Sequence, residues 1–351
     1  MRYLKQHLCE RPYRLLPLLV FAYFVLAFLI DPHSAFHTLN LYDTDDYMRL
    51  DEVIHWLRSA HPFGMGWFDL SQPRLSPSEH VVVHWARLVD VPIAFFMLPF
   101  IHKLGMANAA MIAGMIVPPL LFGVLMMAAP ALARPMIGRQ RANLAAIMVL
   151  FLPAVLFNFQ PGRVDHHNWQ ILIAAFGLLA LPRITLCADG WKTAMAAGIV
   201  FACGLWIGAE ALPWQILFAA NLALCAPLRG RAAMRNAGAF GLAFALATLA
   251  VLPLALPPSQ YAGRQITWFS SGYVIFAALT GAVFVIGWLL GRMTERKALR
   301  LGLMLALGFM AAMLFFFLVP SVFGGPYDNF SSIVTPLILK HVGEAQPFIK
   351  A

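Results

Sequence analysis

Three stretches of this chain carry side chains suited to chemistry. Asp43-Thr44-Asp45-Asp46-Tyr47-Met48-Arg49-Leu50-Asp51-Glu52 crowds carboxylates together. Proteins hold hard divalent cations such as Mg²⁺ or Mn²⁺ in this way, above all where a substrate adds phosphate oxygens. The same residues also suit a solvated acidic turn that opens a surface helix, with Asp45 or Asp46 as its cap. In Arg163-Val164-Asp165-His166-His167, a carboxylate and an imidazole stand one residue apart, so in an extended segment Asp165 and His167 face the same way. That pair suits a Mn²⁺-like or Mg²⁺-like site completed by other loops. Adjacent histidines ahead of a helix equally serve as hydrogen-bonded structural groups, with Asp165 as the N-cap. Last, Gly343-Glu344-Ala345-Gln346-Pro347 places one acid in a Gly- and Pro-bounded irregular segment, or in a flexible tail.

The elements that must position these groups are set by composition. Hydrophobic residues make up 61% of the 351 and charged residues only 12%, against about a quarter charged in soluble domains. The expected fold class is an all-α polytopic membrane protein. Charge-poor runs at 15–30, 107–133, 143–159, 169–184, 193–207, 211–228, 237–256, 273–291 and 301–319 give about nine candidate spans, each near the roughly 20 residues a crossing helix needs. The run 91–104 is short and interrupted by Pro92 and Pro99, so it is expected as an interfacial or re-entrant helix. No small-x-small cleavage site follows the first run, which reads as a retained signal anchor. Cys9, Cys187, Cys203 and Cys225 fall in cytoplasmic segments or spans and draw no external disulfide framework.

Sidedness follows from the basic residues. The net charge of +9 is not a nucleic-acid signature here, because short cytoplasmic loops are themselves enriched in Lys and Arg. With the N-terminus inside, 16 of the 25 basic residues fall in inside segments, while of the 16 acids only Glu10, Asp189 and Glu295 do. All three chemical stretches then face the other compartment. They lie in a first external loop (31–106), a second motif loop (160–168) and an external tail (320–351), a convergence that favours a site. Glu210 lies at the outer end of a span, either facing the same cavity or simply meeting water at the interface.

In their order and spacing these motifs resemble the catalytic-subunit family of oligosaccharyltransferases, membrane glycosyltransferases of the GT-C class. The family has patterns like D-P-W-Y-H-L-R-L in its first external loop, and Asp43 to Leu50 reads D-T-D-D-Y-M-R-L. Archaeal members carry T-D-H-H in the second loop, where this chain has V-D-H-H. A later loop carrying S-V-S-E-H-Q-P corresponds to H-V-G-E-A-Q-P, matching at Glu344, Gln346 and Pro347. The resemblance implies a GT-C-type helical bundle that transfers a sugar or oligosaccharide, with inversion, from a polyprenyl-(di)phosphate donor to a protein, glycan or lipid acceptor. It implies a Mn or Mg ion on Asp43, Asp165 and His167, with the site on the periplasmic face of a bacterial inner membrane.

On the same basis, Glu344, and with it Asp45 or Asp46, would orient the acceptor alongside Asp43. Arg163 and Arg49 would contact donor phosphate, with Arg163 equally suited to be a simple positive charge near the headgroups. His166 is expected in support, since neighbouring side chains in an extended segment diverge. The partners are then donor, membrane lipid and acceptor, and no nucleic acid. The family continues into more spans and a soluble domain with a W-W-D triplet, none of which this chain carries, so residues 1–351 are expected as a single transmembrane domain. A lipid-linked sugar flippase or transporter is the rival from another class; its polar groups would sit near mid-bilayer in broken helices. A polysaccharide polymerase of the same broad class would share the chemistry.

Overall fold

In the computed structural model, which describes residues 14–72 and 82–324, the apolar runs are helices, since backbone in lipid can satisfy its N–H and C=O groups only within such a segment. Helix α1 spans Leu15–Ile30. Helix α2, Thr44–Arg58, lies in the first loop, and α3 runs from Arg87 to Ala142. They are followed by α4 (His167–Leu186), α5 (Trp191–Ile207) and α6 (Leu212–Arg229). Helices α7 (Arg231–Ala255), α8 (Ser271–Gly291) and α9 (Lys297–Leu318) complete the bundle. Among the described residues the strand-like pairing is one isolated antiparallel bridge, Ser71 to Val82. The all-α polytopic expectation holds.

Six helical segments are long and apolar enough to cross a membrane: α3, α4, Ala209–Arg229, α7, α8 and α9. Helices α1 and α5 are apolar but only 16 and 17 residues long. Nine full-length spans are therefore not found among the described residues. The plainest departure is 143–159, expected as one span, which holds two short helices, Leu144–Val149 and Pro153–Phe157. Pro153 has no N–H to continue the ladder, and it pushes Leu152 out of helical backbone to φ −108 and ψ 80. The expected interfacial helix at 91–104 is the first limb of α3, which breaks at Gly105 with φ 78 and ψ 166, a conformation that glycine adopts freely.

Two buried clusters result. One joins α1, α2 and α3, the other gathers α4 through α9, and Trp169 near the start of α4 packs against both. Within the second cluster α7 meets its neighbours at glycines: a Cβ on Gly198 would lie 2.6 Å from the Phe240 carbonyl oxygen, and one on Gly281 would lie 2.6 Å from that of Gly241. Helices in lipid associate by such close packing, since lipid tails offer no hydrophobic penalty to escape. Helix α2 is different. Its buried face, Asp46, Arg49, Leu50, Glu52, Val53 and Trp56, recurs at helical spacing but is half ionisable, and each of those charges requires a partner.

Candidate active site

The partners come from the start of α3. Arg49 donates to Asp90 at 3.0 Å, and Arg87 donates to Asp90 and Glu52 at 3.1 Å each. Gln72 adds a hydrogen bond to Glu52 at 3.2 Å, and the Arg87 Nε donates to the Trp67 carbonyl at 3.0 Å. Trp85 lies under the Arg49 guanidinium, 4.2 Å from it. Arg49, Glu52, Gln72, Arg87 and Asp90 are buried. Burial pushes the Glu52 carboxyl well up, helped by Asp90 and opposed by Arg49 and Arg87. The cluster clamps α2 onto α3 and so fixes where the first turn of α2 points.

That turn carries the acids. Asp43 is the N-cap of α2, its Oδ1 accepting from the backbone N–H groups of Asp45 and Asp46 at 3.0 and 3.1 Å. Asp46 lies inside, 0% exposed. Its Oδ2 accepts from Arg163 Nη1 at 2.9 Å and its Oδ1 from the Asp165 backbone N–H at 3.2 Å. The same Arg163 Nη1 also donates to Asp43 Oδ2, and Nη2 lies 3.9 Å from Asp165. The first and second loops thus meet at one cluster.

The second loop is seated by its own backbone. The Gly162 N–H donates to the Gly114 carbonyl at 3.0 Å, and the Asn168 side chain donates to the Arg163 carbonyl at 3.0 Å. Gly162 has φ +93, a left-handed value that glycine takes without the usual cost of a Cβ. Beyond it, Asp165 Oδ1 accepts from the His166 backbone N–H at 2.6 Å and meets the His166 Nδ1 at 2.5 Å. The other oxygen of Asp165 meets His167 Nδ1. The two imidazoles stack with centroids 4.5 Å apart. Glu210, between α5 and α6, lies 3.8 Å from His166 Nε2 and accepts from Gln170 at 3.1 Å.

Charge sorts these groups. Burial pushes Asp46 up to about 7; Arg163 opposes this while Asp43 and Asp165 reinforce it. At Arg163 burial is outweighed by Asp46, Asp43 and Asp165, and its pKa is raised. The two partners of one ion pair therefore differ: the guanidinium remains a firm cation while its deepest carboxylate titrates near neutrality. At Asp165 burial is overcome by hydrogen bonds from His166 and His167, which hold its carboxyl far below the usual range. His166 is drawn the other way, to about 9, because its bonds to Asp165 and Glu210 outweigh burial.

Several expectations change. The cap of α2 is Asp43, not Asp45 or Asp46, which sit inside the first turn; Asp45 is exposed there. The two imidazoles do not diverge. His166 has φ −76 and ψ −13, so the segment is already turning into α4 and both rings fold onto Asp165. Asp165 accepts the His166 N–H, but the residue in the cap position is His166. Arg49, expected at donor phosphate, is buried against Asp90 and Trp85. Glu210 faces His166 rather than serving only the interface. Glu344 lies outside the described residues. The Glu52, Arg87 and Asp90 partners carried one sequence signal, an Arg and an Asp three apart on a helix.

Asp165, His166 and His167 present ligand atoms that all lie within 4.8 Å of one another, a carboxylate and imidazole set that fits a divalent cation. Asp43 reaches this group through Arg163, which stands between Asp43 and Asp165.

No protein-family model matches the chain, and no curated protein matches it. Solved structures do. The archaeal oligosaccharyltransferase AglB from Archaeoglobus fulgidus, in complex with an inhibitory peptide and a dolichol-phosphate, superposes with a TM-score of 0.58 over 93% of this chain and 39% of that one, at 18% identity. The oligosaccharyltransferase of the same organism in the apo form gives 0.58 over 95% and 40%, at 17% identity. The likeness is one of fold, a polytopic helical bundle, and the chain spans about two fifths of the length of those proteins.

Proposed function

We propose that this chain is a metal-dependent glycosyltransferase that moves a sugar or oligosaccharide from a polyprenyl-(di)phosphate donor to an acceptor at the non-cytoplasmic membrane face. The observation that carries the reading is the meeting of Asp43 and Asp46 with Arg163 and Asp165 across 117 or more residues of sequence, with His167 held on Asp165, on a fold shared with proteins of that activity. One of those neighbours holds a dolichol-phosphate and an inhibitory peptide, which supports a lipid-linked donor and leaves protein, glycan and lipid all open as acceptor classes.

Asp43, Asp165 and His167 would hold the cation, Mn or Mg. When bound, it would neutralise the oxygens of the departing phosphate as a Lewis acid. The protein's part is preorganisation. Asp46 has both oxygens engaged, on Arg163 and the Asp165 N–H, which makes it the strut joining the loops and leaves acceptor orientation to Asp45 or Glu344. Arg49, clamped on Asp90, supports α2 instead of meeting the donor. His166, bridging Asp165 and Glu210, orients Asp165 through Oδ1, whereas Arg163 lies nearer Oδ2. Acceptor attack opposite the leaving group would invert the anomeric centre. The expected setting is a bacterial inner membrane with this site toward the periplasm.

The test is transfer from lipid-linked sugars by purified full-length protein in detergent, read by chromatography or intact mass. Asp43→Ala and Asp165→Ala should abolish transfer while insertion and expression persist. Undiminished Mn²⁺-dependent transfer by either variant would refute the site.

A further inference from the structure

Arg163 holds an unusual place for a residue beside a divalent-cation site. Its side chain is 6% exposed, with Nη1 on both Asp43 and Asp46 and Nη2 3.9 Å from Asp165. Its Nε is buried with no hydrogen-bond partner, and Phe157 packs 4.6 Å below the guanidinium. The plane is thus fixed between one wall of Phe157 and a crescent of carboxylates. Two of those carboxylates, Asp43 and Asp165, are the ones that would hold the cation.

The two ends of the ion pair are not equivalent. Asp46 is fully enclosed, and its second oxygen is committed to the Asp165 N–H. Asp43 has 43% of its side chain exposed, and only its Oδ1 is used by the helix cap. The contact with Asp46 is the permanent one. The contact with Asp43 is exchangeable, since that carboxylate can turn outward without uncovering a buried charge.

We infer that Arg163 is a resident competitor of the metal ion: it occupies Asp43 as a built-in counter-cation, and a divalent ion binds only by taking Asp43 from it while Arg163 stays on Asp46. The inference rests on the proposed metal site. Its consequence is that Arg163 holds the carboxylates together when no ion is bound and weakens metal affinity through repulsion of like charge. A purely structural arginine would do the reverse, since losing it would loosen the ligands and weaken the site.

The experiment is Mn²⁺ binding to chelator-treated full-length protein in detergent, with free Mn²⁺ read by electron paramagnetic resonance. Arg163→Gln keeps an N–H for Asp46 but removes the charge, and should bind Mn²⁺ more tightly by on the order of tenfold or more, as expected when a unit charge a few ångström from a dication is removed. Arg163→Lys keeps the charge on a shorter side chain that loses both the Nη2 beside Asp165 and the planar packing on Phe157 that holds Nη1 between the two acids, so it should bind several-fold more tightly even if Arg163→Gln does not yield folded protein. Wild-type affinity equal to or tighter than that of the folded variants overturns the inference alone. Wild-type binding that is absent, or is unchanged in Asp165→Asn, overturns the metal-site reading and the inference with it.

Discussion

Arg163 donates to Asp46 at 2.9 Å across 117 residues of sequence, and both side chains are buried. Asp165, the buried acid on the Arg163 loop, stands off at 3.9 Å, so the shorter buried contact with Asp46 is what registers the two loops. A buried pair adds little net stability by itself but is costly to break singly, which makes it a device for position. Asp165 sits two residues from Arg163 and gives its N–H to the same Asp46.

The pH response of this pair has a definite sign. Asp46 is raised to about 7, whereas an unfolded aspartate titrates near about 3.9. The folded state then holds the proton more tightly. The stability this provides is full below about 4 and is lost as pH rises through 7. In chelator-treated protein, Asp46→Asn should lose the wild type's fall in melting temperature between about pH 4 and neutral pH, so that the difference between the two changes in favour of the variant as pH rises, on top of the constant loss from breaking the contact with Arg163. A gap that stays constant across that range would remove the assignment.

The clamp beneath α2 predicts a larger effect. Arg87 serves Glu52 and Asp90 at once and donates to the Trp67 carbonyl. Arg87→Ala leaves two acids facing Arg49 alone and should cost about 3–5 kcal/mol, visible as a large fall in melting temperature in detergent. Arg87→Lys should rescue little of it, because an ammonium on a flexible stem cannot reproduce the guanidinium fork. Wild-type melting in Arg87→Lys would show that the charge alone suffices.

His166 gives a second pH limb of opposite origin. Burial lowers it, but bonds to Asp165 and Glu210 carry it to about 9, so its stabilisation is complete below the unfolded value near 6.5 and is lost as pH rises through 9. Glu210→Gln removes one of the two anions. Melting of the chelated variant should therefore fall at a lower pH than that of the wild type on the alkaline side, and coincident alkaline limbs would exclude the Glu210 contact as a cause.

How much of this the sequence disclosed depended on the range of the physics involved. Asp43, Asp165 and His167 stand out in the sequence because motif chemistry is local, and the sidedness of Lys and Arg predicts one face for them. The pairing of Arg163 with Asp46 was not, since nothing within either loop states which carboxylate the guanidinium will choose. Span count failed where a single residue overrode composition: 143–159 is apolar enough for one helix, yet Pro153 divides it. The stacking of His166 on His167 was missed because α4 begins one residue earlier than an extended motif allows. The sequence leaves Glu210 either facing the cavity or meeting water at the interface, because its partner His166 lies 44 residues back on another helix end.

Gly162 offers the most economical test of how the second loop is seated. Its φ of +93 costs an L-residue about 1–2 kcal/mol, and a Cβ there would meet Ala35 Cβ at 3.2 Å and Leu41 Cδ2 at 3.3 Å. The neighbours are packed, so the strain would pass to the Gly162 N–H bond with Gly114 and from there to Arg163. Gly162→Ala should lower stability by roughly 2–3 kcal/mol and reduce transfer more than Gly105→Ala. Gly105 has a comparable φ of 78 but open space around its Cβ position and no place near the cluster. Melting temperature and transfer rate measured on both variants decide it: equal losses would mean that backbone strain, and not the seating of Arg163, is what the site feels.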